Sequence, residues 1–337
     1  MEEKIKIYIP ETVNNILLKD MERFEFYKKD GGFNKNEFYN TLIVNYYKQY
    51  QENQSSLFEH IKKTINSEID SSDFVVNDIA NKILEYVDLK TNKLDEQKSE
   101  ITLSIKPTKK SSDVFDFIQN YCIGNSTLSS YFRNLLASYT LQPQDKRERI
   151  IFKHNFELIE EAIKTNRKIY FTTTNKDAPH VASPYTIANS KEELFNYLLA
   201  DYNEFPYSFR VGRLRNIVIL NEQRQLLDRN IPIFEKMIEY GPQFAYEIKN
   251  PADEIQVSLS ERGKAMYQSM YLHRPRYSKI EGDVYYFNCS RQQAYQYFSR
   301  FGHNAIVIKP KSLLGDLQKF YAMANKVYKK FYYEDNQ

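Results

Sequence analysis

Ile5, Ile7 and Ile9 alternate with Lys4, Lys6 and Tyr8, and Pro10 ends the run. A period of two predicts a strand with one apolar and one polar face. Val13, Ile16, Leu17, Met21 and Phe24 follow at helical spacing, and Gly31-Gly32 breaks the chain. A second helix, capped at Asn34 or Asn36, then carries Phe38, Leu42, Tyr46 and Tyr50. The same order returns further on. Ile101 to Lys106 alternates and ends at Pro107; Val114, Phe117, Ile118 and Tyr121 take helical spacing; Gly124 breaks the chain. Asn125 to Thr127 can cap a helix bearing Leu128, Phe132, Leu135 and Tyr139. The repeats lie near 3–50 and 100–141, and residues 51–99 between them read as helical, with a polar stretch near Lys90 to Glu100. A lone strand leaves its backbone groups unpaired. Strands 4–9 and 101–106 are therefore expected to pair antiparallel, within one chain or across a dimer.

The middle of the chain changes period. A helix at 157–164 leads into a strand at 167–173 and a turn at Asn175-Lys176-Asp177. Strands at 181–187, 194–200 and 207–220 follow, a spacing that predicts a small β-barrel. Beyond it the chain reads strand 255–259, helix 261–271, a turn at Glu281-Gly282-Asp283 and strand 284–288. Helix 292–301, strand 305–309 and helix 313–331 complete a βαββαβα order, which suggests a ferredoxin-like α/β sandwich. The expected class is α+β, with divisions at 1–150, 151–222 and 223–337.

Charge adds a gradient to this picture. Net charge is only +3 over 337 residues, but residues 261–331 carry 13 basic and 4 acidic side chains. Such a basic third attracts polyanions, although a solvated basic face has the same composition. Residues 1–60 carry 8 basic and 10 acidic side chains, which argues against tight DNA binding there. Two cysteines, Cys122 and Cys289, cannot build a disulfide scaffold or a four-thiolate zinc site, and a reducing cytoplasm is the expected compartment. No apolar run approaches a membrane span, and the first residues do not read as a signal peptide. GxSxG, Walker A, GxGxxG, HExxH and paired CxxC motifs are absent, and the five histidines are scattered. No enzyme activity, metal or cofactor is expected.

The order strand, helix, turn, helix within 3–50, with its second copy, resembles the ribbon-helix-helix family, in single or tandem form. That resemblance implies outward strand residues Lys4, Lys6 and Tyr8 reading nucleic acid; the alternative is an edge strand with solvated lysines. Residues 155–222 resemble a WYL domain, an SH3/Sm-like barrel. The residues are Ile169-x-Phe171, Pro184, Asn196-Tyr197-Leu198 and Phe209-Arg210-Val211-Gly212-Arg213-Leu214, with Asn196 in place of the family's Trp and Thr173 where Tyr is common. The resemblance implies a groove in which Arg210 and Arg213 meet nucleic acid or a nucleotide-like ligand. The charge pattern adds Arg215, because no acid lies between Pro206 and Asn221. Arg167, Tyr185 and His180 are weaker candidates, and an arginine paired with a core carboxylate is the competing reading. Positions 210 and 213 share a face only if the strand is irregular at Gly212. The C-terminal region is similar to the extension of WYL regulators, which implies homodimerisation. A ribbon-helix-helix start on a WYL chain resembles the WYL accessory proteins of type VI-D CRISPR systems. That implies binding of single-stranded RNA and stimulation of an RNA-guided ribonuclease. A DNA-binding transcriptional regulator with a ligand-sensing barrel is the alternative, and a dimer acting only on protein partners is a third class.

Overall fold

A computed structural model describes residues 4–69, 71–93, 101–124, 126–174, 176–244 and 254–334. The fold is mixed α+β, with antiparallel sheets of two, four and five strands. The chain divides into two compact units, 1–153 and 154–337.

The first unit runs β1 (Ile5–Ile9), α1 (Glu11–Arg23), α2 (Lys35–Glu68), α3 (Asp73–Lys93), β2 (Ile101–Ile105), α4 (Ser112–Tyr121), α5 (Leu128–Thr140) and α6 (Gln144–Ile151). β1 and β2 pair antiparallel within the one chain, from Ile5 opposite Ile105 to Ile9 opposite Ile101. Ile7, Ile9, Leu103 and Ile105 bury one face of this ribbon against the helices. The second helices of the two repeats hold it. Asn36 Oδ1 accepts from the Lys106 N–H at 2.8 Å, and Asn40 Nδ2 donates to the Lys106 carbonyl at 3.0 Å. Ser129 Oγ of α5 donates to the Lys6 carbonyl at 2.8 Å. Below the ribbon, Asp20 is fully buried between Arg147, whose Nε lies 2.6 Å away, and Tyr139, whose hydroxyl donates at 2.8 Å. The helix carrying Phe38 to Tyr50 continues to Glu68, within the stretch 51–99 read as helical, since 51–68 contains no Gly or Pro to stop it. The short α6 follows Pro143 and is too polar to show an apolar stripe. Of the polar stretch near Lys90 to Glu100, residues 94–100 lie outside the described residues.

The second unit begins with α7 (Lys153–Lys164) and continues through β3 (Arg167–Thr173), β4 (Lys176–Asn189), β5 (Asn196–Tyr202), β6 (Phe205–Arg210), β7 (Leu214–Gln223) and α8 (Ile231–Tyr240). The five strands order as β6-β5-β4-β3-β7. β6 and β7 are joined by a single 3-10 turn, Val211–Arg213, yet occupy opposite edges, so the sheet must curl back on itself. The one long strand expected over 207–220 is thus two strands. The strand expected at 194–200 starts later, at Asn196, because Leu194 sits at φ 56° in the preceding turn. A tight hairpin through Asn203 and Glu204, at φ 49° and 68°, then joins β5 to β6. Of the turn expected at 175–177, Lys176 and Asp177 already belong to β4, and Asn175 lies outside the described residues. α8, which the strand-dominated reading passed over, lays Ile233, Phe234 and Met237 on Leu199 and Ala188.

The remaining elements are β8 (Ile255–Leu259), α9 (Glu261–Ser269), β9 (Tyr277–Glu281), β10 (Val284–Phe287), α10 (Arg291–Phe298), β11 (Ala305–Lys309) and α11 (Lys311–Glu334). Their sheet orders as β11-β8-β10-β9, with the first strand central and every pairing antiparallel. Its core joins Val257, Leu259, Phe287, Tyr297 and Phe298 to Leu313 of α11. α9 passes so near the 302–304 turn that a Cβ on Gly263 would stand 2.1 Å from the Asn304 carbonyl oxygen, so only glycine fits.

Candidate nucleic-acid interface

In the first unit the ribbon's pleat sorts its side chains. Ile7 and Ile9 point inward and are fully buried, which sends Lys4, Lys6 and Tyr8 outward. All three are exposed, Tyr8 by 47%. The register places Ser104 opposite Lys6 and Thr102 opposite Tyr8, and exposed Lys106 continues that face. The outward positions 4, 6, 8, 102, 104 and 106 thus hold three lysines and no acid, so the face is positive although residues 1–60 have an acidic excess. Thr102, Ser104 and Lys106 join the candidates named from sequence. The alternation in 101–106 was their signal, once its register with β1 was known.

In the second unit the candidate residues separate. The Arg210 guanidinium lies 3.2 Å from the centre of the Phe195 ring, a cation–π contact on a half-buried side chain. Arg213 is half-buried within the 3-10 turn, and its carbonyl accepts from the Thr174 N–H at 3.1 Å. Arg215 braces that turn, with Nη1 donating to the carbonyls of Gly212 and Leu214 at 2.8 Å each. The irregularity at Gly212 is therefore present, as a turn rather than a bulge. Arg167 is exposed at the far end of β3, 3.4 Å from Asn221 Oδ1. Tyr185 stacks on Phe234 of α8, with ring centres 4.8 Å apart and 14° between planes. His180 stacks instead on Phe171, at 5.3 Å and 20°.

Register explains the separation. β5 and β6 pair Leu198 with Phe209, Ala200 with Tyr207 and Tyr202 with Phe205, so these six side chains share one face. Ser208 and Arg210 take the other face, where Ser208 donates to the Pro242 carbonyl and Leu199 packs on α8. The first face is dry at Leu198, Ala200 and Phe171 and opens toward the hairpin tip, where Tyr207 is 44% and Phe205 52% exposed. Along it the His180 ring lies 5.0 Å from Tyr202 and 5.6 Å from Phe209. Tyr207 lies 5.3 Å from Tyr202 and 5.8 Å from Phe209. Of the ring-bearing residues on this face, only His180 was named from sequence as a candidate. The alternation Phe205-x-Tyr207-x-Phe209 carries the signal in the sequence. These rings supply aromatic surface that Asn196 and Thr173 do not.

Among the described residues no three His, Cys, Asp or Glu side chains come together to hold a metal, and no helix is long and apolar enough to cross a membrane. No family model and no curated protein matches the chain. Among the solved structures that resemble it are two. One, described as a CRISPR Cas-related protein, superposes with a TM-score of 0.70 at 19% identity, over 98% of this chain and 95% of that one. The other, proteasome accessory factor B/C (PafBC) of Arthrobacter aurescens, gives a TM-score of 0.24 at 11% identity, over 64% and 35%, too distant to carry an argument. The first likeness shows that the whole chain follows a fold already seen in a CRISPR Cas-related protein.

Proposed function

We propose that this chain is a non-enzymatic, homodimeric accessory protein of a CRISPR system that binds single-stranded RNA and stimulates a type VI RNA-guided ribonuclease. The end-to-end likeness to a CRISPR Cas-related protein carries the reading. The architecture supports its nucleic-acid-binding part. A ribbon of two strands backed by four helices favours a tandem ribbon-helix-helix unit in one chain. A curled sheet of order β6-β5-β4-β3-β7 with a 3-10 turn before the last strand favours an SH3/Sm-like WYL barrel. The order β11-β8-β10-β9 in a βαββαβ unit favours the ferredoxin-like extension. Arginine forks on this barrel suit phosphates, and exposed rings suit unpaired bases. The decisive experiment adds the purified chain to a type VI effector loaded with guide RNA and follows target cleavage. A rise in rate that scales with RNA binding by the chain is expected; an unchanged rate removes the accessory role.

The ribbon favours a second reading, a regulator of duplex DNA, because its outward face holds Lys4, Lys6 and Lys106 without an acid. Anisotropy with unstructured RNA and with random duplex DNA separates the two, and preference for the duplex selects the second.

A further inference from the structure

We propose that the aromatic face of the β5–β6 hairpin is a stacking platform for unpaired nucleobases, with Tyr207 and Phe205 as the contact rings and Tyr202, Phe209 and His180 as the packed layer that holds them. This rests on the reading of the chain as a single-stranded RNA binder, and it names the part of the molecule that tells a single strand from a duplex.

Several observations converge on it. Rings from four neighbouring strands lie 5.0 to 6.0 Å apart in an unbroken series, from fully buried Phe171 to Tyr207. Tyr207 lies nearly parallel to Phe209, at 22°, so its plane is fixed by a neighbour before a ligand arrives. Phe205 and Tyr207 alternate on β6, which places them about 7 Å apart along the strand. Large rings exposed on a sheet face at that interval resemble the way aromatic side chains on other sheets take successive bases. β6 is an edge strand, so bases on this face leave the sugar-phosphate chain at an open edge. The next fourteen residues after Pro206 contain three arginines and no acid, which favours a polyanion over an apolar peptide. A base paired within a duplex has no free face to offer, so the platform selects single strands whatever their sequence.

The test compares the parent chain with a Phe205→Ala/Tyr207→Ala variant and a Phe205→Tyr/Tyr207→Phe variant. Each is titrated by anisotropy into fluorescein-labelled oligouridylate and into an abasic oligomer of equal length. The alanine pair is expected to weaken oligouridylate binding tenfold or more, leave abasic binding within twofold of the parent, and keep the parent's melting temperature within a few degrees. The ring-conserving pair should bind as the parent does. If the parent binds oligouridylate and the alanine pair binds it equally well, or loses both ligands alike, the platform is wrong while RNA binding stands. If the parent binds neither oligomer, the RNA-binding reading and the platform fall together. Should the alanine pair lower the melting temperature sharply, Tyr207→Ala alone, at a side chain nearly half exposed, gives the same comparison.

Discussion

The most consequential single residue in the first unit is Asp20, fully buried and hydrogen-bonded to a guanidinium and a phenol. A buried carboxylate is tolerated only while its charge is answered. Arg147→Met strands that charge, and the expected loss is about 3–5 kcal/mol in urea unfolding. Tyr139→Phe removes one hydrogen bond and should cost about 1–3 kcal/mol. Burial also sets how the chain responds to alkali. It pushes the phenols of Tyr131 and Tyr267 up to about 12, and the thiol of Cys289 likewise to about 12. Tyr39, Tyr139 and Tyr297 are raised by the same cause. The unfolded chain gives up these protons first, from ordinary values of 9.0 for Cys and 10.0 for Tyr. Folded protein then holds more protons than unfolded, so stability falls as pH rises from about 9 to about 12. Denaturant midpoints measured across that range, with tyrosinate absorbance alongside, should show the decline; a flat profile would mean that the phenols are not buried.

At the scale of elements, pattern and structure agree best where one face is dry and the other wet. The alternation of 4–9 and 101–106 named both ribbon strands and their partnership, because burying Ile7, Ile9, Leu103 and Ile105 leaves one register open. Glutamates in place of Lys4 and Lys6 should therefore abolish any duplex DNA binding in a gel-shift assay and leave the circular dichroism unchanged, since both side chains are exposed. The barrel was less legible. Periodicity cannot show that Val211–Arg213 breaks one strand into two, because the turn is set by the Arg215 side chain reaching back to Gly212 and by the need to close the curl. The same closure sent Arg210 to the α8 face and His180 to the ring face, so candidates expected in one groove part company. α8 was missed because its partners, Tyr185 and Leu199, lie on strands far from it in the chain.

For the molecule as a whole, charge is graded along the chain, and residues 261–331 carry most of the positive excess. Binding of single-stranded RNA should then weaken steeply with salt, with a slope of log K on log salt of about −0.7 per phosphate neutralised. Arg210→Ala and Arg213→Ala should each lower that slope by about 0.7 where the arginine touches a phosphate, and a parent slope near zero would mean that stacking alone holds the ligand. The ribbon adds a consequence in time. Its two strands are partners, yet Ile105 is made long after Ile9. At about 5–20 residues per second, β1 waits on the order of 5–20 s during synthesis for its mate. Throughout that interval its row of isoleucines is an open edge in a crowded compartment. Lys4 and Lys6, exposed on the opposite face of the strand, work against the pairing of nascent copies with one another, because their like charges repel.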